Sequence, residues 1–453
     1  MMKELEPGQR FRGLLVHSVL GRGPAIATYL ASHPVLEIPL IIKTFAAQDA
    51  ELFINARLLA QVGDPAVVPV LDAGLDEETA FVVLRHVDGI DLEELMAHLL
   101  PVTRVLPMHL LIPLIAEVAR GMHATHLAGG THGDIGPSQI FLSGSGQGLL
   151  TNFGLSSRVQ KNGAESPPLT GDPLYRAPEI WQGESPDVRA DIYSLGATAH
   201  FLATGVPPFQ GTDEDLRKAH VEQAYQAPPS EWPESAYFFT LLSAMLAKSP
   251  RDRPQSADEV ATLLSRITPD APILRVDSDT TAEICGIYIE LYRGDISLAE
   301  ADVIVNPASS QLSMQSGVAE GLRRAGGDDI EKAAMAQGPA SMGDIVWTTA
   351  GQLHGTWVAH AVAASAGAVG IQRCTMRVLL EAQARGARSV VFPALGTDEG
   401  KVPMPVVARQ MLDAILTFCR LGPTAIEQVA VALQDDDALA DWSQVLGELG
   451  DRQ

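Results

Sequence analysis

The spacing of apolar positions divides the chain into two halves with different patterns. In the first half, apolar residues alternate over short extended segments as far as residue 45, and then recur at helical spacing in residues 50–62 and 110–130. From residue 284 onward, short apolar runs alternate with amphipathic helical segments. The first half therefore predicts strands followed by helices. The second predicts a mostly parallel sheet covered by helices, with ligand sites at the carboxyl ends of its strands.

A polar segment separates the two patterns. Residues 268–281 are rich in Pro, Asp and Thr and have no periodic apolar face, which predicts a linker between domains at 10–267 and 282–453. The chain then ends in an acidic helix start followed by Leu439, Trp442 and Leu446 at helical spacing. This spacing predicts a terminal helix that packs back on the second domain.

Composition narrows the class of protein. The 453 residues carry a net charge of −23 and no basic block, which disfavours a nucleic-acid or membrane surface. The start of the chain lacks a signal-peptide pattern and no apolar run is long enough to span a bilayer, so we expect a cytoplasmic protein. Three widely spaced cysteines predict buried thiols rather than a disulfide framework or a zinc site.

Several motifs of the first half occur in a fixed order. They are Gly21-x-Gly23 before a strand that carries Lys43, the HGD triplet at 132–134, Gln139, the NFG triplet at 152–154, the APE triplet at 177–179, Asp191 and Arg253. In this order the first half resembles a serine/threonine protein kinase domain over its full length. The resemblance implies a bilobal α+β fold, with a small lobe at about 10–84 and a large lobe at about 88–267.

The resemblance also implies roles for individual residues. Gly21, Gly23 and Lys43 would contact the phosphates of ATP, and Asp134 would be the catalytic carboxylate. Gln139 and Asn152 occupy the two positions that hold Mg²⁺ in the family. Two further roles are structural: Asp191 would hold the backbone of the catalytic loop, and Glu179 would pair with Arg253.

Other positions depart from the kinase pattern. Active members supply one carboxylate and one carboxamide to the metal, whereas Asn152 and Gln139 are both neutral. Asn55 stands where a Glu would pair with Lys43, Ile41 stands where a small residue makes room for adenine, and Gly136 replaces a phosphate-contacting lysine. Losing charge neutralisation in the transition state costs several kcal/mol, so these residues predict a pseudokinase. Asp134 leaves an active, metal-atypical kinase as the alternative.

The second half has its own ordered motifs. They are Gly294-Asp295-Ile296, the DVIVNPAS strand at 302–309, Gly317-Val318, Gly343-Asp344-Ile345, VAHAV at 358–362 and FPALGTDEGKVP at 392–403. These resemble a macro domain, the ADP-ribose-binding module, over about residues 282–434. The fold implied is α/β, with a mixed, mostly parallel sheet covered by helices.

By this resemblance, Asp295 would accept a hydrogen bond from the adenine amino group, and Ile296, the next residue, would be part of the same pocket. Gly317 and Val318 would offer backbone N–H groups at a helix N-terminus to the diphosphate. The second phosphate loop would consist of three residues: Gly396, Thr397 and Gly400.

The macro pattern is also altered. Met314, Gln315 and Ser316 place side chains where glycines would let backbone approach phosphate, and Asp398 stands at an expected glycine. Ser309 occupies the ADP-ribose-site position at which hydrolytic members carry Asn, which argues against ADP-ribosyl hydrolysis. Asp295 equally fits a strand-end turn. His360 lies on an apolar strand and predicts a core histidine rather than a catalyst.

Three functions follow from these patterns. The first is a regulatory pseudokinase with a degenerate macro domain that binds protein partners or nucleotide-type ligands. The second is an active serine/threonine kinase that uses ATP and Mg²⁺ and carries an ADP-ribose-sensing macro domain. The third assigns the chemistry to the macro half, as an ADP-ribosyl hydrolase.

Overall fold

The strands at the start of the chain form one antiparallel sheet in the computed structural model. The structure describes residues 4–23, 26–36, 38–45, 50–77, 79–102, 104–152, 171–229, 233–363, 370–397 and 402–451. The sheet order is β1-β2-β3-β4-β6-β5. Its strands are β1 (Arg10–Phe11), β2 (Leu14–Arg22), β3 (Ile26–Ser32), β4 (Pro39–Phe45), β5 (Val70–Asp76) and β6 (Thr79–Arg85), with helix α1 (Ala50–Leu59) between β4 and β5.

A mainly helical region follows and contains a small sheet in the order β7-β8-β9. Its strands are β7 (Gly89–Asp91), β8 (Ile140–Ser143) and β9 (Gly148–Leu150). Its helices are α2 (Leu92–Leu99), α3 (Met108–Leu127), α4 (Pro178–Trp181), α5 (Val188–Thr204), α6 (Asp213–Glu222), α7 (Pro233–Met245) and α8 (Ala257–Leu264). Helix α3 is apolar around most of its circumference because it packs between α5, α8 and β9. The two regions match the predicted bilobal α+β fold.

Two polar groups fix this large lobe from inside, as the motifs predicted. The Arg253 guanidinium is buried and donates to both carboxylate oxygens of Glu179, at 2.7 and 2.8 Å. The buried Asp191 carboxylate accepts from the N–H groups of His132 and Gly133, at 2.7 and 2.8 Å. Charge pairing and satisfied hydrogen bonds offset the cost of burying these groups.

The described part of the C-terminal region builds an eight-stranded mixed sheet in the order β10-β11-β12-β17-β16-β13-β15-β14. The strands from β12 to β15 are parallel neighbours, and antiparallel pairs close both edges. The strands are β10 (Arg275–Ser278), β11 (Thr281–Ile284), β12 (Ile287–Arg293), β13 (Val303–Pro307), β14 (Ile345–Thr349), β15 (Trp357–Ala361), β16 (Ser389–Pro393) and β17 (Gln428–Leu433). The helices are α9 (Gly317–Gly326), α10 (Asp329–Met335), α11 (Ile371–Ala384), α12 (Met404–Arg420) and α13 (Asp436–Gly450).

The segment between the two regions differs from the prediction. Residues 268–281 were expected to be a linker, yet they contain the edge strand β10, whose four residues are all exposed. A strand exposed on both faces has no alternation of apolar and polar residues, so its sequence gives no strand signal. The predicted terminal helix is present as α13, where Asp435 caps the N-terminus and Trp442 is fully buried.

Two smaller observations complete the fold. Cys374 and Cys419 are buried as predicted, whereas Cys285 is exposed in a turn with a positive φ of 53°. Among the helices in the described ranges, none is both long and apolar enough to cross a membrane.

Candidate functional site

A cavity of about 500 Å³ lies between the two lobes of the first region. Apolar side chains from β2, β3, β4 and β6 form its walls together with Val68 and Phe141. Three of the predicted nucleotide-binding residues, Gly21, Lys43 and Asn152, line it. A volume of this size is typical of small-molecule sites.

Two polar residues of the cavity lining, Lys43 and Asn152, belong to a chain of three hydrogen-bonded side chains, whose third member, Gln139, is not among the described lining residues. Lys43 Nζ donates to Asn152 Oδ1 at 2.6 Å, and Asn152 Nδ2 donates to Gln139 Oε1 at 2.7 Å. Asn152 has φ of 62°, a left-handed conformation that Asn adopts more readily than most residues. Burial lowers the pKa of Lys43 to about 8, and its partner in this chain is neutral. Lys43 therefore keeps a cationic amine in the cavity, and its hydrogen-bond partner among the described side chains is the neutral Asn152.

The residues at the predicted metal positions do not fit Mg²⁺ in this arrangement. Both carboxamide oxygens already accept hydrogen bonds, that of Asn152 from Lys43 and that of Gln139 from Asn152. The carboxylates among the described cavity-lining residues are Asp91, which caps α2, and Asp344, which pairs with Arg377. A hard divalent cation prefers carboxylate oxygen, and the described residues contain no cluster of three His, Cys, Asp or Glu that could hold a metal.

The predicted catalytic carboxylate lies apart from this chain. Asp134 is not among the described residues that line the cavity, and its Oδ1 accepts from the N–H of Asp172 at 3.2 Å. Gly171 lies directly against it, and a Cβ at that position would come within 3.4 Å of Asp134 Oδ1. Gly171 and Asp172, which lie C-terminal to the NFG triplet, therefore contact the Asp134 carboxylate. Phe153 and Gly154 of that triplet lie outside the described residues.

The loop that carries Asp134 is held in one conformation by His132. The Nδ1 atom of this buried imidazole accepts from the Asp134 N–H at 3.2 Å, so Nε2 carries the proton and donates to the Thr151 carbonyl at 2.8 Å. Burial lowers the pKa of His132, which keeps the ring neutral. Sequence reasoning identified His132 by its motif, whereas its bond to Thr151, next to Asn152, is visible only in the structure.

The glycine motif has two different environments. Gly21 is in β2, opposite Thr28, and faces the cavity. Gly23 closes the β2–β3 turn, where its N–H donates to Ile26 O at 2.8 Å, and it is not among the described lining residues. Ile41 lines the cavity as the sequence predicted.

The predicted ADP-ribose residues lie near the carboxyl ends of the parallel strands. Ser309, Gly396 and Thr397 line one cleft of about 80 Å³ together with Gln315 and Ser316. This volume is well below the roughly 300–1,000 Å³ of most ligand pockets. Gly396 has φ of 81°, which favours glycine. Gly400, Asp398 and Lys401 lie outside the described residues.

The other predicted macro residues in the described ranges are not among those that line this cleft. Gly317 and Val318 open α9, directly after Ser316. Ile296 is buried in the core, while the exposed Asp295 accepts from the Ser297 N–H at 2.9 Å and caps a short helical turn at Ile296–Leu298. The strand-end turn that the sequence offered as an alternative for Asp295 is thus observed.

One expectation about this loop is wrong. Met314 was expected to place its side chain where phosphate would approach, but it is fully buried in the core beside α9. Its backbone N–H donates to Glu331 at 2.7 Å and its carbonyl accepts from Arg323 at 3.0 Å. The loop is therefore held against α9 and α10 at Met314, while its neighbours Gln315 and Ser316 line the cleft.

His360 is a core histidine, as its apolar strand predicted. Asn306 Nδ2 lies 3.0 Å from its Nδ1 and Thr348 Oγ1 lies 2.9 Å from its Nε2. Burial lowers the pKa of His360 to about 4, so the ring is neutral at physiological pH.

Sequence reasoning missed part of the cavity wall. Residues from the C-terminal region line the same cavity as Lys43: Ser341, Met342, Gly343, Asp344, Gly370 and Arg373. They are about three hundred residues from Lys43 in the chain, and no local pattern in a single sequence signals such a contact. Only the docking of the two regions reveals it.

Comparison with known proteins agrees with both resemblances. A sequence model of the protein kinase domain matches residues 16–263 and one of the macro domain matches residues 305–411. The serine/threonine-protein kinase PknB of Mycobacterium tuberculosis is 29% identical over 285 residues, which cover 58% of this chain and 45% of that protein. PknB of Mycobacterium leprae is 28% identical over 281 residues, with 58% and 44% covered.

A third relative is more distant. The serine/threonine-protein kinase PknE of Mycobacterium tuberculosis is 27% identical over 259 residues, with 55% of this chain and 45% of that protein covered. The chain thus spans less than half the length of these curated relatives.

Proposed function

The chain belongs to the protein kinase family, and from this premise we propose that it is a pseudokinase: it binds a nucleotide between its lobes and transfers phosphate poorly or not at all. The observation that carries the proposal is the hydrogen-bonded chain from Lys43 through Asn152 to Gln139. A nucleoside phosphate fits the apolar walls and the amine, but the developing charge of phosphoryl transfer needs metal ions that these neutral groups hold weakly.

The contacts of Asp134 support the same proposal. Its carboxylate is hydrogen-bonded to the Asp172 N–H and lies against Gly171, away from the described cavity lining. A general base has to reach the hydroxyl proton of its substrate, and one oxygen of Asp134 already accepts a hydrogen bond from the backbone of Asp172. We therefore propose a regulatory role in which the nucleotide-bound state is read by a protein partner.

A thermal-shift screen of the full chain tests nucleotide binding. ATP and ADP, each with and without Mg²⁺, are expected to raise the unfolding temperature, and Mg²⁺ is expected to add little because the metal positions are neutral. Lys43→Met should remove the ATP shift, with the exposed Arg388→Met as the matched control. A wild-type protein that neither nucleotide stabilises would refute the proposal.

An active serine/threonine kinase is the second candidate. It is favoured by the relatives, which are named serine/threonine-protein kinases, and by the retention of Asp134 in its loop. Autoradiography with labelled ATP and either Mg²⁺ or Mn²⁺ separates the two candidates. Incorporation by the wild type that is lost in Asp134→Asn would overturn the pseudokinase proposal.

For the macro domain we propose weak binding of an ADP-ribose-type ligand rather than hydrolysis. The cleft brings Ser309, Gly396 and Thr397 together, but the described part is small, and Ser309 has no carboxamide with which to orient water. Calorimetry with ADP-ribose tests this assignment. If calorimetry detects no heat at millimolar ADP-ribose, the macro domain does not bind this ligand. Release of ADP-ribose from an ADP-ribosylated protein would instead favour the hydrolase.

A further inference from the structure

The C-terminal domain docks on the connection between the two lobes of the kinase domain. Asp88 follows the last strand of the small-lobe sheet, and its carboxylate accepts from the N–H groups of Gln372 and Arg373, each at 3.1 Å. These are free N–H groups at the start of α11, where a negative charge is favoured. Asp88 therefore caps a helix of the other domain.

Side chains reinforce this cap. Arg373 donates to the Gly89 carbonyl at 3.2 Å and to Glu94 of α2 at 2.6 Å. Arg377, one turn later on α11, approaches the other oxygen of Glu94 at 3.3 Å. A half-buried carboxylate shared by two arginines is worth more than an exposed ion pair, because less water screens it.

A second contact lies farther along the kinase domain. The N–H of Gly144 donates to Gln372 Oε1 at 3.0 Å, and its carbonyl accepts from Thr417 Oγ1 at 2.5 Å. A Cβ at Gly144 would lie only 2.6 Å from Gln372 Cδ, so a larger residue would displace the Gln372 side chain from this contact. The docking is thus specific at two separate points of the kinase domain.

The same contacts hold the additional cavity wall in place. Arg377 donates to the Gly343 carbonyl at 2.8 Å and to Asp344 at 3.2 Å. Residues 341–344, the macro wall, line the cavity next to Gly370 and Arg373. Glu94 therefore connects the kinase domain to the macro wall through Arg377.

The position of the wall indicates which end of a nucleotide it would meet. Lys43 is paired with Val82 on β6, and Asp88 lies six residues farther along the chain. At about 3.3 Å per residue of extended chain, the backbones of Val82 and Asp88 are at most about 20 Å apart. A phosphate at Lys43 would place the nucleoside end of the ligand toward the macro wall.

We propose that the nucleotide site is composite: the nucleoside end of a nucleoside di- or triphosphate contacts the macro wall, and its binding is coupled to docking of the macro domain. The inference rests on the proposed binding of a nucleotide between the lobes. Because such coupling is reciprocal, a ligand that contacts both domains stabilises the docked arrangement, and a change that weakens the docking lowers the affinity for the ligand. Ser341 and Asp344 supply polar atoms that ribose hydroxyls can reach, and Met342 supplies apolar surface.

Hydrogen–deuterium exchange on the full chain tests the contact directly. ATP is the probe, at concentrations from micromolar to millimolar. We expect slower exchange in β2–β4 and also in peptides that cover residues 341–349 and 371–384, with the edge strand β10 and its neighbour β11 unchanged as an internal control. Protection confined to the kinase domain would overturn the composite site and leave nucleotide binding intact. No protection in either domain would remove nucleotide binding and, with it, this inference.

Matched arginine variants test the coupling. Arg373→Ala removes the contacts with Gly89 and Glu94, and we expect about tenfold weaker ATP binding by calorimetry. Arg388→Ala removes an exposed pair with Glu427 and should stay within about twofold of the wild type. Equal ATP affinities for Arg373→Ala and Arg388→Ala would overturn the coupling, and the exchange experiment on the wild type remains decisive if Arg373→Ala does not fold.

Discussion

Replacing Asn152 by Asp restores a carboxylate at the position where the kinase family holds a metal. The change leaves the shape of the residue almost unaltered, and Asp, like Asn, tolerates the left-handed φ of 62°. It places a negative charge next to Lys43 Nζ, which lies 2.6 Å from Asn152 Oδ1. The Gln139 amide must rotate so that it donates to the new carboxylate, because its Oε1 now accepts from Asn152.

The depressed pKa of Lys43 sets the scale of the effect. Burial lowers it from 10.5 to about 8. Full recovery of the ordinary value would be worth about 3 kcal/mol. The site is only half-buried and the new carboxylate must itself be desolvated, so we expect a net gain of about 1 kcal/mol. For a domain of this size that gain raises the unfolding temperature by about 2–4 °C.

Scanning calorimetry at pH 7 measures the difference, with Gln61→Glu as a control that adds the same charge at an exposed position. We also expect ATP binding by Asn152→Asp to strengthen when Mg²⁺ is added, in contrast to the wild type. A variant no more stable than Gln61→Glu, with ATP binding indifferent to Mg²⁺, would refute the assignment of Asn152 to the lost metal position.

Three further outcomes are expected. Arg253→Met leaves the buried Glu179 without its partner and should lower the free energy of unfolding, measured by urea denaturation, by about 3–5 kcal/mol. The control Arg251→Met, at an exposed position, should change it little. Equal losses in the two variants would contradict the stabilising role of the buried pair. Burial lowers the pKa of His360 to about 4, so below about pH 6.5 the unfolded chain binds a proton that the folded chain does not. The free energy of unfolding should therefore fall by up to about 3 kcal/mol as the pH drops from 6.5 to 4. A His360→Gln variant with the same pH slope would show that another group is responsible. ATP affinity should decrease as the pH rises through about 8, where Lys43 loses its charge, and a titration that stays flat up to pH 9 would exclude the amine as the phosphate contact.

Ordered motifs were sufficient to predict the internal bonds of the kinase domain. The sequence placed Asp191 against the catalytic-loop backbone and Glu179 against Arg253, and both contacts are present. The resemblance to the kinase family implied these partners, and the physical requirement that a buried polar group be paired is met by them. The strands and helices of the second half were predictable for the related reason that their apolar periods are regular.

Local sequence was less informative where a side chain has two acceptable environments. Met314 was expected to face the ligand cleft because of its place in the loop, but an apolar side chain gains more by entering the core beside α9. The exposed strand β10 gave no apolar signal at all, because neither of its faces is buried.

The amino-acid sequence by itself determined the two folds, their order and the loss of the acidic metal ligand at Asn152, because these follow from residue identity, the order of the motifs and local periodicity. Only the tertiary structure decided how the domains meet. Asp88 and Arg373 are separated by almost three hundred residues, and their contact depends on how all the helices and strands between them are packed. That geometry makes Asp88 the cap of a helix in the macro domain and brings Asp344 to the wall of the cavity that contains Lys43.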